Sequence, residues 1–190
     1  GVPDRAAGRA QSWNYSSSVC DRGRASTRGR MEVNYGRRAP FTIGVEEEFQ
    51  LVDETSLELV SRFDEVEEEV GREGAVEVKA ELLQSVLEVA THVHASVPEA
   101  LEESRELRAR VAAAAAESGT LVVSAGTHPF SRYEHQDVTE QERYLELIET
   151  MRWVAEREVI FGLHVHVGLS SGQEATAVAN ALRTWLPELL

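Results

Sequence analysis

The segment FTIGVEEEFQLV, residues 41–52, sets apolar side chains at 41, 43, 45, 49 and 51. That period-2 spacing predicts a β-strand. Its other face carries Glu46, Glu48 and Gln50. Strand residues i and i+2 share a face about 6.6 Å apart, so Glu46 and Glu48 point the same way. Glu47 then falls on the apolar face between Val45 and Phe49. A carboxylate there is costly unless it is paired or metal-bound. Two same-face carboxylates suit Mg²⁺, which takes hard oxygen ligands and keeps some waters. A solvated face of an antiparallel sheet is the plainer alternative, and the pattern leaves both open.

Outward from this segment the chain mixes strand-like and helical stretches. VIFGLHVHVGL (159–169) alternates His164 and His166 with Leu163, Val165 and Val167. The two imidazoles are predicted to share one strand face and the apolar residues to face a core. An H-x-H pair of this kind can converge on one ion, or on an ion plus substrate, though polar residues on a wet face show the same pattern. Gly162 and Gly168 on either side allow a close approach of backbone or ligand. His92 and His94 form a second H-x-H in THVHAS, just before a helix cap, and read as loop residues. His128, in AGTHPF, sits at a turn where functional groups are often presented, and His135 reads as surface.

VEVKAE (76–81) and LVVSAG (121–126) are strand-like. A short acidic helix is expected from Asp64 to Val70, capped by Ser61. ELLQSVLEVAT (81–91) is ambiguous, with a leucine-rich start and a β-branched end; as a helix it would set Glu81 and Glu88 on one face. Ser96 and Glu99 form a capping box with Pro98 in the first turn, opening a helix that Gly119 closes. Thr139 and Glu142 predict a helix running to about Arg157, and Ser171 with Glu174 caps a last one. This order of elements is α+β or α/β.

Charge divides the 190 residues unevenly, for a formal total of −14. Residues 1–40 hold eight Arg against Asp4, Asp21 and Glu32; the remainder holds ten Arg, Lys79 and 30 acids. So acidic a body is a poor non-specific binder of nucleic acid, which requires Lys and Arg to displace counterions. No run of 18 apolar residues exists to form a transmembrane helix. The only cysteine, Cys20, lies in the leader, which leaves no intrachain disulfide and no cysteine-based zinc site. Residues 1–40 are rich in Gly, Ser and Arg and read as a disordered or spurious extension, with Met31 as the expected start. The leader has no apolar stretch for a secretory signal, so the expected location is cytoplasmic. Residues 41–190 suit one domain. The absence of G-x-x-x-x-G-K-[ST], G-x-G-x-x-G and G-x-S-x-G disfavours a P-loop NTPase, a Rossmann dehydrogenase and an α/β-hydrolase.

Taken in order, GVEEEFQLVD (44–53), ELLQSVLEVAT (81–91), AGTHPF (125–130), ERYLEL (142–147) and FGLHVHVG (161–168) resemble the carboxylate–amine ligase family, the second type of glutamate–cysteine ligase. The resemblance covers about Phe41 to Leu190 and reads as the N-terminal half of a longer protein, expected to be inactive alone. It implies an α+β fold like the catalytic domain of glutamine synthetase, with a curved antiparallel sheet flanked by helices. It further implies a ligase dependent on ATP and Mg²⁺, in which the γ-carboxylate of glutamate is phosphorylated and the amine of cysteine displaces phosphate.

Carried over by motif, the resemblance makes Glu46, Glu48, Glu81, Glu88 and His164 metal ligands and sets His164 and His166 beside the nucleotide. Thr127, His128 and Arg132 fall where the family lines its amino-acid pocket. Glu158 stands where many relatives carry Gln, which exchanges an amide donor for an acceptor. The partners implied are glutamate and cysteine or another amine, neither nucleic acid nor membrane, with a second copy of the chain as a candidate. Two alternatives stand beside this: a metal-dependent hydrolase using the H-x-H strand, and a non-catalytic truncated product.

Overall fold

A computed structural model describes residues 39–73 and 76–189. The expectations for the leader, including Met31 and Cys20, lie outside the described residues. The chain divides into two compact units, one of residues 43–167 and one that comprises, among the described residues, 39–42 and 168–189.

The larger unit is built on one strand. β1 (Ile43–Asp53) pairs antiparallel with β3 (Val86–Ala90) along one edge. Its other edge is shared, Ile43–Glu47 pairing with β5 (Leu163–Val167) and Gln50–Asp53 with β4 (Thr120–Val123). β2 (Val78–Ala80) completes the sheet on the far side of β3. Every ladder is antiparallel, and helices α1 (Phe63–Glu73) and α2 (Val97–Glu117) flank the sheet. The expected α+β fold, an antiparallel sheet with flanking helices, is what the chain forms.

Alternation along the strands sorts side chains to two faces. One face gives Phe49, Leu51, Leu87, Val89 and Val78 to a core closed by Phe63, Val66 and Val70 of α1 and by Val111, Ala114 and Ala115 of α2. The alanine-rich end of α2 lets its backbone come close, and Val111 and Ala115 are fully buried there. Glu47 shares this face, as its position in the alternation requires, and is only 3% exposed. It is paired: Arg108 of α2 donates to its two oxygens at 2.7 and 2.5 Å, and Ser124 Oγ donates at 2.9 Å.

The structure departs from the sequence expectations at several points. Residues 81–91 contain no helix, so Glu81 and Glu88 do not share a helix face; Glu81 lies in the connection before β3 and Glu88 within it. β3 is central, between β1 and β2, and its valines decide the outcome because both neighbours pack against them. Ser61 does not cap α1, its hydroxyl accepting instead from the Asp137 N–H at 3.3 Å. Thr139 does not cap the next helix, because its hydroxyl is drawn to the Glu81 carbonyl at 2.6 Å; Gln141 is the cap. That helix does not reach Arg157 unbroken: α3 (Glu142–Met151) and α4 (Trp153–Glu156) are divided at Arg152, whose φ is 51°. At α2 the Ser96 side chain makes no cap bond, but Glu99 accepts from the Ala95 N–H at 3.1 Å. Leu163, Val165 and Val167 face no core, being 61%, 60% and 50% exposed. α1 and α2 bring their apolar faces to β1–β4, and no β5 residue joins the cluster they close.

In the smaller unit, the Phe41 N–H donates to the Gly168 carbonyl at 2.7 Å, and the Gly168 N–H to the Thr42 carbonyl at 2.8 Å. A side chain at Gly168 would run into the Thr42 hydroxyl. α5 (Gly172–Leu182) opens as the sequence predicts, the Ser171 hydroxyl accepting from the Glu174 N–H at 3.1 Å and Glu174 accepting from the Ser170 N–H at 2.7 Å. α6 (Leu186–Leu189) follows.

Candidate functional site

The face of the sheet opposite the α1–α2 core gathers the carboxylates. Register fixes this: Glu48 lies directly opposite Glu88, which lies directly opposite Lys79, and Glu46 is opposite His164. Directly opposed residues of antiparallel strands point to the same face, so three acids, one ammonium and one imidazole share a surface. His166, opposite Gly44, joins them two residues along β5.

Each acid is held by a neighbour. His166 Nε2 lies 2.9 Å from Glu46 Oε2 and His164 Nδ1 lies 3.6 Å from the same oxygen, with the two ring centroids 6.3 Å apart. The Gly162 N–H donates to Glu48 Oε2 at 2.6 Å, and the Glu48 N–H donates to the Gly162 carbonyl at 3.0 Å. A Cβ at Gly162 would stand 2.9 Å from His164 Nε2 and 3.4 Å from Glu48 Oε2, so a larger residue here requires the His164 ring to move. Lys79 Nζ donates to Glu88 Oε1 at 2.8 Å. Burial works against the Lys79 charge, but the pair with Glu88 outweighs it and holds the ammonium above its usual range. Glu81 is reached from α3, where the buried Tyr144 hydroxyl lies 3.1 Å from its Oε2 and 2.9 Å from the Ala80 carbonyl. Arg143 donates to the same hydroxyl.

Crowding of like charge is visible in Glu81. Burial pushes its carboxyl above the ordinary range, and the charges of Glu88 and Glu48 push it further. The donor chemistry of this face therefore fits a hard divalent cation: several carboxylates from β1, β3 and the adjoining loop, mutually repelling. The side chains as placed are satisfied by protein groups instead, and among the described residues no three His, Cys, Asp or Glu side chains form a group that could hold a metal ion.

The remaining sequence candidates lie at the end of β4. Thr127 and Ile160 form an isolated bridge, and the Phe161 N–H donates to the Gly126 carbonyl at 3.1 Å, so AGTHPF lies against the segment leading into β5. Thr127, His128 and Arg132 line a cavity of about 430 Å³ there. The Glu158 side chain is exposed between Arg157 and Val159, two residues that do line it. His92 and His94 are in the loop before α2, where both rings contact Glu103, with His92 Nδ1 2.5 Å from Oε1. Lys79, Tyr144 and Arg157 were not singled out from sequence. Lys79 could have been, as the sole lysine in a short strand whose parity matches Glu88; Tyr144 and Arg157 carry no local signal.

The profile of glutamate-cysteine ligase family 2 matches residues 42–190. The chain belongs to that family. It is 49% identical over 150 residues to a Rubrobacter xylanophilus protein provisionally named glutamate–cysteine ligase 2-1, and 41% identical over 151 residues to a Herpetosiphon aurantiacus protein provisionally named glutamate–cysteine ligase 2. These matches cover 79% and 80% of the chain but 40% and 39% of the relatives, so the chain spans about two-fifths of their length. Its fold is like that of the glutamate–cysteine ligase of Francisella tularensis, solved in complex with AMP, with a TM-score of 0.55 and 13% identity. The likeness covers 76% of this chain and 30% of that one.

Proposed function

We propose that the protein, in its natural full length, is an ATP- and Mg²⁺-dependent carboxylate–amine ligase. It joins the γ-carboxylate of glutamate to an amine, cysteine first among candidates, through an acyl phosphate. The observation that carries this is the sheet face on which Glu46, Glu48 and Glu88 share one surface with His164, in a chain of glutamate-cysteine ligase family 2. The AMP bound to the Francisella ligase supports nucleotide use.

Mg²⁺ would be held by Glu46, Glu48, Glu81, Glu88 and His164, with His166 beside the nucleotide. The ion, when bound, supplies neutralisation of phosphate charge during phosphoryl transfer. The protein's own groups orient this set: the Gly162 N–H fixes Glu48, Tyr144 fixes Glu81, and Lys79 fixes Glu88. Thr127, His128, Arg132 and Glu158 belong to the amino-acid side. No protein nucleophile is needed, since the carboxylate is activated by phosphate and attacked by the amine. Family membership favours this over a metallohydrolase. ATP and free amino acids put the reaction in the cytoplasm, and no described helix is long and apolar enough to cross a membrane.

The test is ADP release by the full-length protein, expected only with Mg²⁺, glutamate and an amine together. Glu46→Gln with Glu48→Gln is expected to lower the rate at least about 100-fold, the loss of about 2.7 kcal/mol of transition-state stabilisation. ADP release indifferent to amino acids, or unchanged in the double variant, would refute the assignment.

A further inference from the structure

The cavity beside AGTHPF has a feature that its candidate substrate residues do not supply. The Thr127 hydroxyl donates to the Val159 carbonyl at 3.0 Å. His128 Nδ1 accepts from the Ser131 N–H at 3.0 Å, which leaves Nε2 as the protonated nitrogen, 3.1 Å from the Leu57 carbonyl. Arg132 donates to Glu134 at 3.0 Å and 3.4 Å. The polar groups of all three are thus engaged within the chain, and they shape the wall rather than offer a contact.

Arg157 differs. Its guanidinium lies over the Tyr133 ring, 5.1 Å from the centroid, and over the Trp153 ring at 5.6 Å. No carboxylate or hydrogen-bond acceptor among the described residues engages it. Stacking on aromatic faces holds the plane of a guanidinium without consuming its N–H donors. A fork of free donors fixed in this way matches a planar or tetrahedral oxyanion, which it can grip bidentately. Arg132 and Glu134 on the same wall neutralise each other, which leaves Arg157 as the net positive charge of the lining. In a chain of net charge −14 such a concave positive site is out of keeping with its surroundings. Val159 and Ile160, on the cavity wall, continue directly to Gly162, whose N–H holds Glu48.

We propose that this cavity is an oxyanion subsite, with Arg157 binding the carboxylate or phosphate of a small substrate and Tyr133 and Trp153 positioning the guanidinium. The inference deepens the ligase reading and rests on it for the role of the ligand as a substrate, not for the binding itself.

Trp153 lies against the guanidinium, so its emission reports occupancy. The chain is titrated with L-glutamate and, separately, with sodium phosphate, against sodium chloride at matched ionic strength. A saturable change with either is expected; glutamate would identify a carboxylate and phosphate a phosphoryl group as the natural anion. Arg157→Met is expected to weaken binding at least about 10-fold, Arg157→Lys to weaken it less, and Trp153→Phe to remove the signal, with circular dichroism unchanged in all three. No response beyond that of chloride, equal affinity in Arg157→Met, or a signal surviving Trp153→Phe would overturn the subsite. Amino-acid-dependent ADP release by the full-length protein without this response refutes the subsite and leaves the ligase reading standing. The response without such ADP release refutes the ligase reading alone.

Discussion

Replacing Arg108 by Met leaves the Glu47 carboxylate on the core face of the sheet with the Ser124 hydroxyl as its one remaining side-chain donor. Glu47 has 4% of its side chain exposed and Arg108 has 51%, so the acid carries the desolvation while water reaches the guanidinium. Removing one partner of a buried pair costs about 3–5 kcal/mol. The half-exposed arginine puts Arg108→Met at the low end, near about 3 kcal/mol. At an m-value of about 2 kcal/mol/M, that moves the urea midpoint down by about 1.5 M. The assay is urea unfolding of the chain followed by far-UV circular dichroism. The informative comparison is the double variant Glu47→Leu with Arg108→Met. It fills the same space with apolar groups and is expected to recover to within about 1 kcal/mol of the parent, because an apolar replacement needs no partner. A loss below about 1 kcal/mol in the single variant, or a double variant weaker than the single, would show that burial does not govern this pair.

Two further outcomes follow from the geometry. Gly162→Ala is expected to leave stability within about 1 kcal/mol while driving the His164 ring away from Glu48, lowering affinity for Mn²⁺ as a Mg²⁺ probe by about 10-fold in paramagnetic titration; unchanged affinity would disconnect Gly162 from the site. Burial raises the Glu103 carboxyl, but hydrogen bonds from His92 and His94 prevail and hold it below the usual 4.5. A depressed folded-state value contributes stability above the ordinary carboxylate range that is lost as pH falls through it. Urea midpoints measured between about pH 5 and about pH 3 are therefore expected to fall more steeply in the parent than in Glu103→Gln, and parallel slopes would contradict this.

Much of the sheet was legible because alternation is a local signal. Residues 41–52 announce their own two faces, and the cost of Glu47 on the apolar one foretold a partner without naming Arg108, 61 residues away. The Ser171–Glu174 cap was legible for the same reason, its partners being three residues apart. Ser61 and Thr139 show the limit: each has good capping chemistry, and each is claimed by a distant backbone group instead. The stretch 81–91 was undecidable in isolation because its conformation is settled by β1 and β2 on either side. On the site face, spacing placed Glu46 with Glu48 and His164 with His166. Only register could place Lys79 opposite Glu88, and only tertiary packing could bring Tyr144 to Glu81 or set Arg157 between two rings.

The sharing of β1 among three neighbours bears on how the site opens. Glu46 and Glu48 are in a strand bonded along both edges, and Glu88 is in one bonded to both β1 and β2. Each backbone N–H bonds along one edge only, and that of Glu48 donates to the Gly162 carbonyl, so its exchange with solvent is expected to report the opening of the β5 edge while the ladder to β3 stays closed. Among the described residues β5 pairs with β1 alone, so His164 and His166 can detach by losing a single ladder. The acids sit on strands paired along both edges, and the imidazoles ride on a strand that a single ladder holds to them.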